Sequence, residues 1–195
     1  MKPKKLPHCK ECGNEFSPSR MGQKVCGWQC GLAYSRRVAE KDEAKRKKEE
    51  RRKDREKREK LKTRSDYLKD AQREFNRYIR YRDASKPCIC CGKPLSSGDI
   101  GGSYDAGHYR SVGSAPHLRF DERNCHAQRK QCNRYGAGRA VDYRLGLIAR
   151  LGVQVVEALE SDQTSKNYTE DDLIAIRNKY RKMANDLAKA IAKIN

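Results

Sequence analysis

Four side chains in SYDAGHYRS (103–111) and RNCHAQRKQCNRYGAG (123–138) are of types that phosphodiester hydrolysis uses: Asp105, His108, Asn124 and Asn133. Cleaving a phosphodiester at neutral pH needs a base to activate water and a cation to offset charge on the phosphate. Histidine suits the first task because its pKa lies near working pH. Carboxylate and amide oxygens suit the second, because magnesium is a hard cation. His117, in APHLRF, has no motif role and reads as a structural or surface residue.

The chain also holds nine cysteines. The odd count, with no apolar export signal in residues 1–20, argues for metal binding over a disulfide framework. Cys9-x2-Cys12 and Cys26-x3-Cys30 flank a loop of thirteen residues containing Gly, Ser and Pro. Paired knuckles of this kind supply the four soft ligands of a tetrahedral zinc site. So small a module has almost no core, so the metal would supply its folding energy. His8 is expected beside this site and not in it. Cys88, Cys90 and Cys91 form a second knuckle, with Cys125 and Cys132 downstream.

The elements that must position these groups follow from charge and periodicity. Hydrophobic and charged residues each make up 36% of the 195 residues, which favours small modules over one large core. Residues 35–64 contain sixteen Lys/Arg and eight Asp/Glu, rich in good helix formers and in opposite charges three and four apart. They predict an exposed helix, solvated and able to contact phosphates. It is expected to continue through Tyr67, Leu68, Ala71, Phe75, Tyr78 and Ile79, an apolar stripe, so that residues 38–83 form one helix of roughly 70 Å. Residues 86–102 are turn-rich. A helix is expected after Asn133, interrupted near GAG and resuming at about Arg139, with Val141, Leu145, Ile148 and Val155 at helical spacing. Thr169 and Asp172 open a final helix as N-cap and capping-box partner. Its apolar face, Leu173, Ile176, Tyr180, Met183, Leu187, Ile191 and Ile194, should pair with the preceding helix or with a second subunit.

The formal net charge of +19 calls for a polyanionic partner. No stretch approaches the roughly 20 apolar residues that span a bilayer. A soluble, intracellular protein is expected.

The order Cys88-x2-Cys91, Asp105-Ala-Gly-His108, Asn124, Cys132-Asn133 resembles the HNH, or ββα-metal, nuclease motif. The strings DAGHYRSVGSAPHLRF and NCHAQRKQCNR resemble the NinG (Rap) recombination proteins of lambdoid phages, and the likeness covers essentially the whole chain. The resemblance implies an α+β, multi-module protein: a zinc knuckle (1–34), a long basic helix (35–84), an HNH-like core (85–145) and a C-terminal helical pair (146–195). It implies a structure-selective DNA endonuclease acting on Holliday junctions and D-loops in the bacterial cytoplasm, with Mg²⁺ or Mn²⁺ for catalysis and structural Zn²⁺. By position, His108 matches the general base, Asn124 the residue that holds the base-bearing loop, and Asn133 a divalent-metal ligand. Asp105 is the second candidate ligand, although the family pattern places it next to the histidine, where Gly107 stands.

A further departure is Arg129, where a cysteine is expected before Cys132. Cys88, Cys91 and Cys132 then remain as core zinc ligands, with Cys125, Cys90 or His126 as the fourth, and Cys125 preferred. Around a phosphate-cleaving site, Arg110, Arg119, Lys130 and Arg134 would dock the DNA backbone, together with Arg123 and Arg129. Tyr104 and Tyr109 could stack on an unpaired base. Paired cuts at a four-way junction would favour a homodimer, and phage or host recombination proteins are expected partners. The competing reading is a non-catalytic, zinc-dependent junction or single-strand binder that recruits recombination factors, favoured by Arg129. An RNA-binding role is weaker, because no RNP-like strand motif is present.

Overall fold

The computed structural model describes residues 6–95, 100, 102–136 and 138–193. Residues 96–99 and 101 of the turn-rich segment, Ala137 of the GAG run and Ile194 of the last apolar face lie outside the described residues. The chain divides into two compact units, residues 1–61 and 62–195.

The first unit is the cysteine-bearing knuckle followed by α1 (Trp28–Lys60), a helix of 33 residues and about 50 Å. No residue of α1 is buried. It is laced by pairs one turn apart: Glu43 with Lys47 at 2.6 Å, and Arg52 with Glu49 at 2.6 Å and Glu56 at 2.9 Å. Such pairs contribute about 0.2–0.5 kcal/mol each, enough to support a helix that has no packing face.

The expected single helix over 38–83 is two helices. α1 ends at Leu61, and α2 (Arg64–Arg82) starts anew from Thr63. The Thr63 hydroxyl accepts from the Asp66 amide, and the Asp66 carboxylate accepts from the Thr63 amide at 3.0 Å, a complete capping box. A helix start that satisfies its own first amides competes with continuation, and here it wins.

In the second unit, α2 packs along α5 (Glu170–Ala192), which opens on the same device at Thr169 and Asp172. The predicted stripe of α2 and the predicted face of α5 meet each other: Ala71, Phe75, Ile79, Leu173 and Ala184 are buried, and Tyr180 lies edge-on to Phe75 at 4.9 Å. The last helix therefore pairs with α2 and not with its sequence neighbour. Burying residues of this size contributes about 1.5–3 kcal/mol each, so the longest apolar stripe available is the best partner.

β1 (Tyr104–His108) and β2 (Cys125–Arg129) form an antiparallel pair with Tyr104 opposite Arg129 and His108 opposite Cys125. A single π-type turn follows at Gln131–Tyr135, then α3 (Ala140–Leu151) and α4 (Val153–Ser161). The buried side of α3 is Tyr143 and Leu147; Val141 and Leu145, predicted as part of its stripe, are exposed. Tyr143 ties the helix to both strands, donating from its hydroxyl to the Gly107 carbonyl at 2.8 Å and accepting from the His126 amide at 3.1 Å. Gly146 allows this approach, since a Cβ there would lie 1.8 Å from the Ile89 carbonyl oxygen. Among the described residues the architecture is thus helix-dominated with one small two-stranded sheet.

Candidate functional site

Cys9, Cys12, Cys26 and Cys30 bring four sulfurs within 4.8 Å of one another. The Cys26 amide donates to the Cys9 sulfur at 3.4 Å. Burial raises the Cys9 thiol, but the amides of Cys12, Glu11 and Cys26 outweigh it and lower its pKa to about 6, which favours the thiolate a metal needs. His8 turns away, its Nδ1 donating to the Gly13 carbonyl at 2.9 Å. This donor set fits a closed zinc site.

In the core, Cys88, Cys91 and Cys132 bring three sulfurs within the same 4.8 Å. The Arg129 amide donates to the Cys88 sulfur at 3.3 Å. A side-chain hydrogen bond from Cys90 lowers the Cys88 thiol to about 4, against burial, with the amides of Arg129, Cys91 and Cys90 adding to the effect. Cys125, the preferred fourth ligand, is not with them. It is fully buried opposite His108, because residue 125 begins β2 while the cluster gathers at the far end of that strand.

His108 ends β1, with its ring 6.0 Å from that of Phe75. Its Nε2 lies 2.9 Å from the Arg119 carbonyl, and its Nδ1 3.6 Å from the Cys125 sulfur. A carbonyl only accepts, so Nε2 carries the proton and Nδ1 the lone pair. Burial pushes the Cys125 pKa well up, so that residue stays a thiol and donates to Nδ1. Burial also lowers the His108 pKa, against the raising effect of the Arg119 carbonyl, and holds the imidazole neutral.

Asn124 is fully buried beside it. Its Oδ1 accepts from the Arg110 amide at 2.8 Å, and its Nδ2 donates to the carbonyls of Arg110 at 3.0 Å and Leu118 at 3.2 Å. One amide thus clamps both ends of the loop that follows His108, and an apolar replacement would leave the Arg110 amide and carbonyl without this partner.

Asp105 and Asn133 meet across 28 residues of sequence, Asn133 Nδ2 donating to Asp105 at 3.2 Å. Arg134 forks onto the same carboxylate at 2.8 and 3.1 Å. Burial raises the Asp105 pKa, but these two partners prevail and lower it. The pair offers a carboxylate and an amide, the hard donors Mg²⁺ prefers; with the amide turned over and Arg134 displaced, both oxygens face one point. His108 does not join this pair. It lies three residues along β1, on the opposite face and roughly 10 Å away along the strand.

The family model for the Bacteriophage Lambda NinG protein matches residues 1–190. The chain belongs to the NinG family. It is 42% identical to protein ninG of Salmonella phage P22 over 188 residues, 91% of this chain and 90% of that protein. The corresponding protein of Escherichia phage 933W is 42% identical over 190 residues, 92% of each chain. That of Escherichia phage lambda is 40% identical over 188 residues, 91% of this chain and 90% of it. No solved structure matches.

On this NinG scaffold the basic residues divide in two. Arg110 turns inward and donates to the carbonyls of Leu159, Glu160 and Asp162 at the C-terminal end of α4, at 3.0, 3.2 and 2.7 Å. Arg119 donates to Gln72 at 3.2 Å, and Lys130 to the Gly102 carbonyl. Arg123 pairs with Asp121 at 2.6 Å. Arg123 and Arg134 keep exposed side chains.

The two tyrosines proposed for stacking are engaged: Tyr104 is buried with its hydroxyl on the Arg80 carbonyl, and Tyr109 packs on Tyr143 and donates to Glu160. Tyr135, 85% exposed, is the aromatic at this surface that sequence reading passed over. Also missed was Asp83, fully buried, which accepts from Arg82 at 2.8 and 2.9 Å and from the Ala127 amide at 3.0 Å. His126 lies against it at 3.5 Å, with its Nε2 on the Arg123 carbonyl and its Nδ1 accepting from Arg82 and Arg150. Only tertiary proximity joins these groups.

No helix among the described residues is long and apolar enough to cross a membrane.

Proposed function

We propose that the chain is a divalent-metal-dependent endonuclease of phage recombination that cuts branched DNA. The observation that carries this reading is the tautomer of His108. The Arg119 carbonyl fixes the proton on Nε2 and burial keeps the ring neutral, so the lone pair falls on Nδ1, where it accepts from the buried Cys125 thiol; acting as a general base requires water to take the place of that thiol. Asn124 holds the adjoining loop in register, so the base is positioned by a buried amide. Asp105 and Asn133 would hold Mg²⁺ or Mn²⁺, which when bound offsets charge on the scissile phosphate. Arg134 already occupies the Asp105 carboxylate as a cation, and a DNA phosphate drawing Arg134 away would free that carboxylate. The net charge of +19 supports a polyanionic substrate. The preference for Holliday junctions and D-loops rests on the family resemblance.

The second reading, a junction-binding protein without cleavage, is favoured by one feature. His108 and the Asp105–Asn133 pair lie on opposite faces of β1. The discriminating experiment incubates the protein with a labelled four-way junction and a matched duplex, in Mg²⁺ and in EDTA, beside His108→Ala. Metal-dependent nicking lost in His108→Ala, with binding kept, is the expected result; nicking by His108→Ala at the parental rate would reject the base assignment. Junction binding without nicking in any divalent metal would leave the binding reading.

A further inference from the structure

We propose that the core metal site is a three-thiolate centre whose fourth coordination position is open and takes water or a small exchangeable anion. The inference does not depend on the nuclease reading.

Cys88, Cys91 and Cys132 supply three mutually close sulfurs, and no candidate for a fourth ligand joins that set. Cys125 faces His108 in a fully buried position. Both ring nitrogens of His126 are spent, one on the Arg123 carbonyl and the other on two guanidinium groups. Cys90 touches the cluster through a hydrogen bond to the Cys88 sulfur but is not among the mutually close three, its own sulfur accepting from Gln128 Nε2 at 2.7 Å and lying 3.7 Å from the Gly138 carbonyl. A tetrahedral ion on three sulfurs therefore keeps one corner without a protein ligand.

That corner has room and a charge preference. A cavity of about 540 Å³ is walled by Cys91 and Cys132 together with Lys93, Arg129, Arg139 and Tyr135. Three thiolates on a divalent ion leave one negative charge, and Lys93 and Arg129 in the wall exceed it, Arg139 being paired with Asp142 at 2.7 Å. The cavity therefore draws an anion towards the metal. Arg129 has a part in both features: its amide holds the Cys88 sulfur, while its side chain stands in the cavity wall where a cysteine would have closed the tetrahedron. The N-terminal site, with four sulfurs, has no such corner.

The test loads the full chain with Co²⁺, whose visible spectrum reports coordination, and uses azide as the probe. Two cobalt ions per chain are expected, and azide should shift the ligand-field bands of one of them. Arg129→Cys should abolish the azide response and raise the thiolate-to-cobalt charge-transfer absorbance by about one seventh, eight sulfurs replacing seven. Cys90→Ala removes a hydrogen bond to the Cys88 sulfur, so the charge-transfer band should move in position while its intensity and the azide response are kept. An azide-insensitive native spectrum overturns the proposal. So does a fall in charge transfer in Cys90→Ala, which would make Cys90 the fourth ligand, and so does a stoichiometry of one cobalt. Should Arg129→Cys fail to fold, the native azide titration and Cys90→Ala still decide the matter.

Discussion

The N-terminal knuckle gathers four sulfurs around a nearly empty interior, with Cys9 and Phe16 as its buried residues among those described. The core cluster gathers three, but they sit among Leu95, Tyr104 and Ala127, under a sheet clamped by Tyr143 and Asp83. The first module gets its shape from the ligands and the second from packing. The contrast shows what a missing cysteine costs in each place. Without a fourth sulfur the knuckle has nothing else to close it. The core has an apolar cluster and a buried ion-pair network to hold Cys88 and Cys132 in position, so a substitution such as Arg129 is tolerated.

Removing metal should separate the two regions most sharply. Structural zinc contributes roughly 10–16 kcal/mol to small modules of this kind, so chelation should unfold residues 6–27 completely. The α2–α5 pair should persist. Amide exchange measured before and after chelation checks this, and equal loss of protection in both units would break the comparison.

Next in size is Asp83→Ala. It leaves Arg82 and the Ala127 amide without their buried partner and should cost about 3–5 kcal/mol in urea unfolding of the second unit. The metal content of the N-terminal site should not change.

A smaller effect comes from pH. Burial lowers the pKa of both His108 and His126, so the unfolded chain takes up protons that the folded chain refuses. Stability of the second unit should be full above about pH 6.5 and fall as pH drops from there towards the folded values. Thermal melts across that range test it, and a flat profile would remove both histidines from the argument.

The smallest change expected is Glu49→Gln in α1. It removes one exposed pair, and helicity should fall slightly, with the difference fading as salt is added, measured by circular dichroism.

Sequence legibility followed the same divide. The spacing of Cys9, Cys12, Cys26 and Cys30 declared their site, because a knuckle is a local structure. The Thr169–Asp172 start of α5 was equally legible. The same Thr-x-x-Asp signal at Thr63–Asp66 lay inside a charged run whose helix propensity masked it, so the break after Leu61 went unseen. In the core, residues far apart in sequence decide the outcome. Cys125 differs from a zinc ligand only in its place along β2. Arg110 differs from a phosphate contact only in that the carbonyls at the C-terminal end of α4 lie within its reach. Asp83 carries no motif at all; its importance arises from the β2 amide and the two arginines folded around it. Such features follow from tertiary assembly and leave no local trace.

The unburied surface of α1 also bears on how the gene can change. Beyond Cys30 and Arg37, which serve the knuckle, the positions of that helix answer to charge balance and helix propensity, so most replacements there should be mild. In β2, Cys125, His126, Ala127 and Gln128 are buried in succession, each against different neighbours, and a replacement must suit all of them at once. Random substitution should therefore find the helix permissive and the strand strict, within one short reading frame.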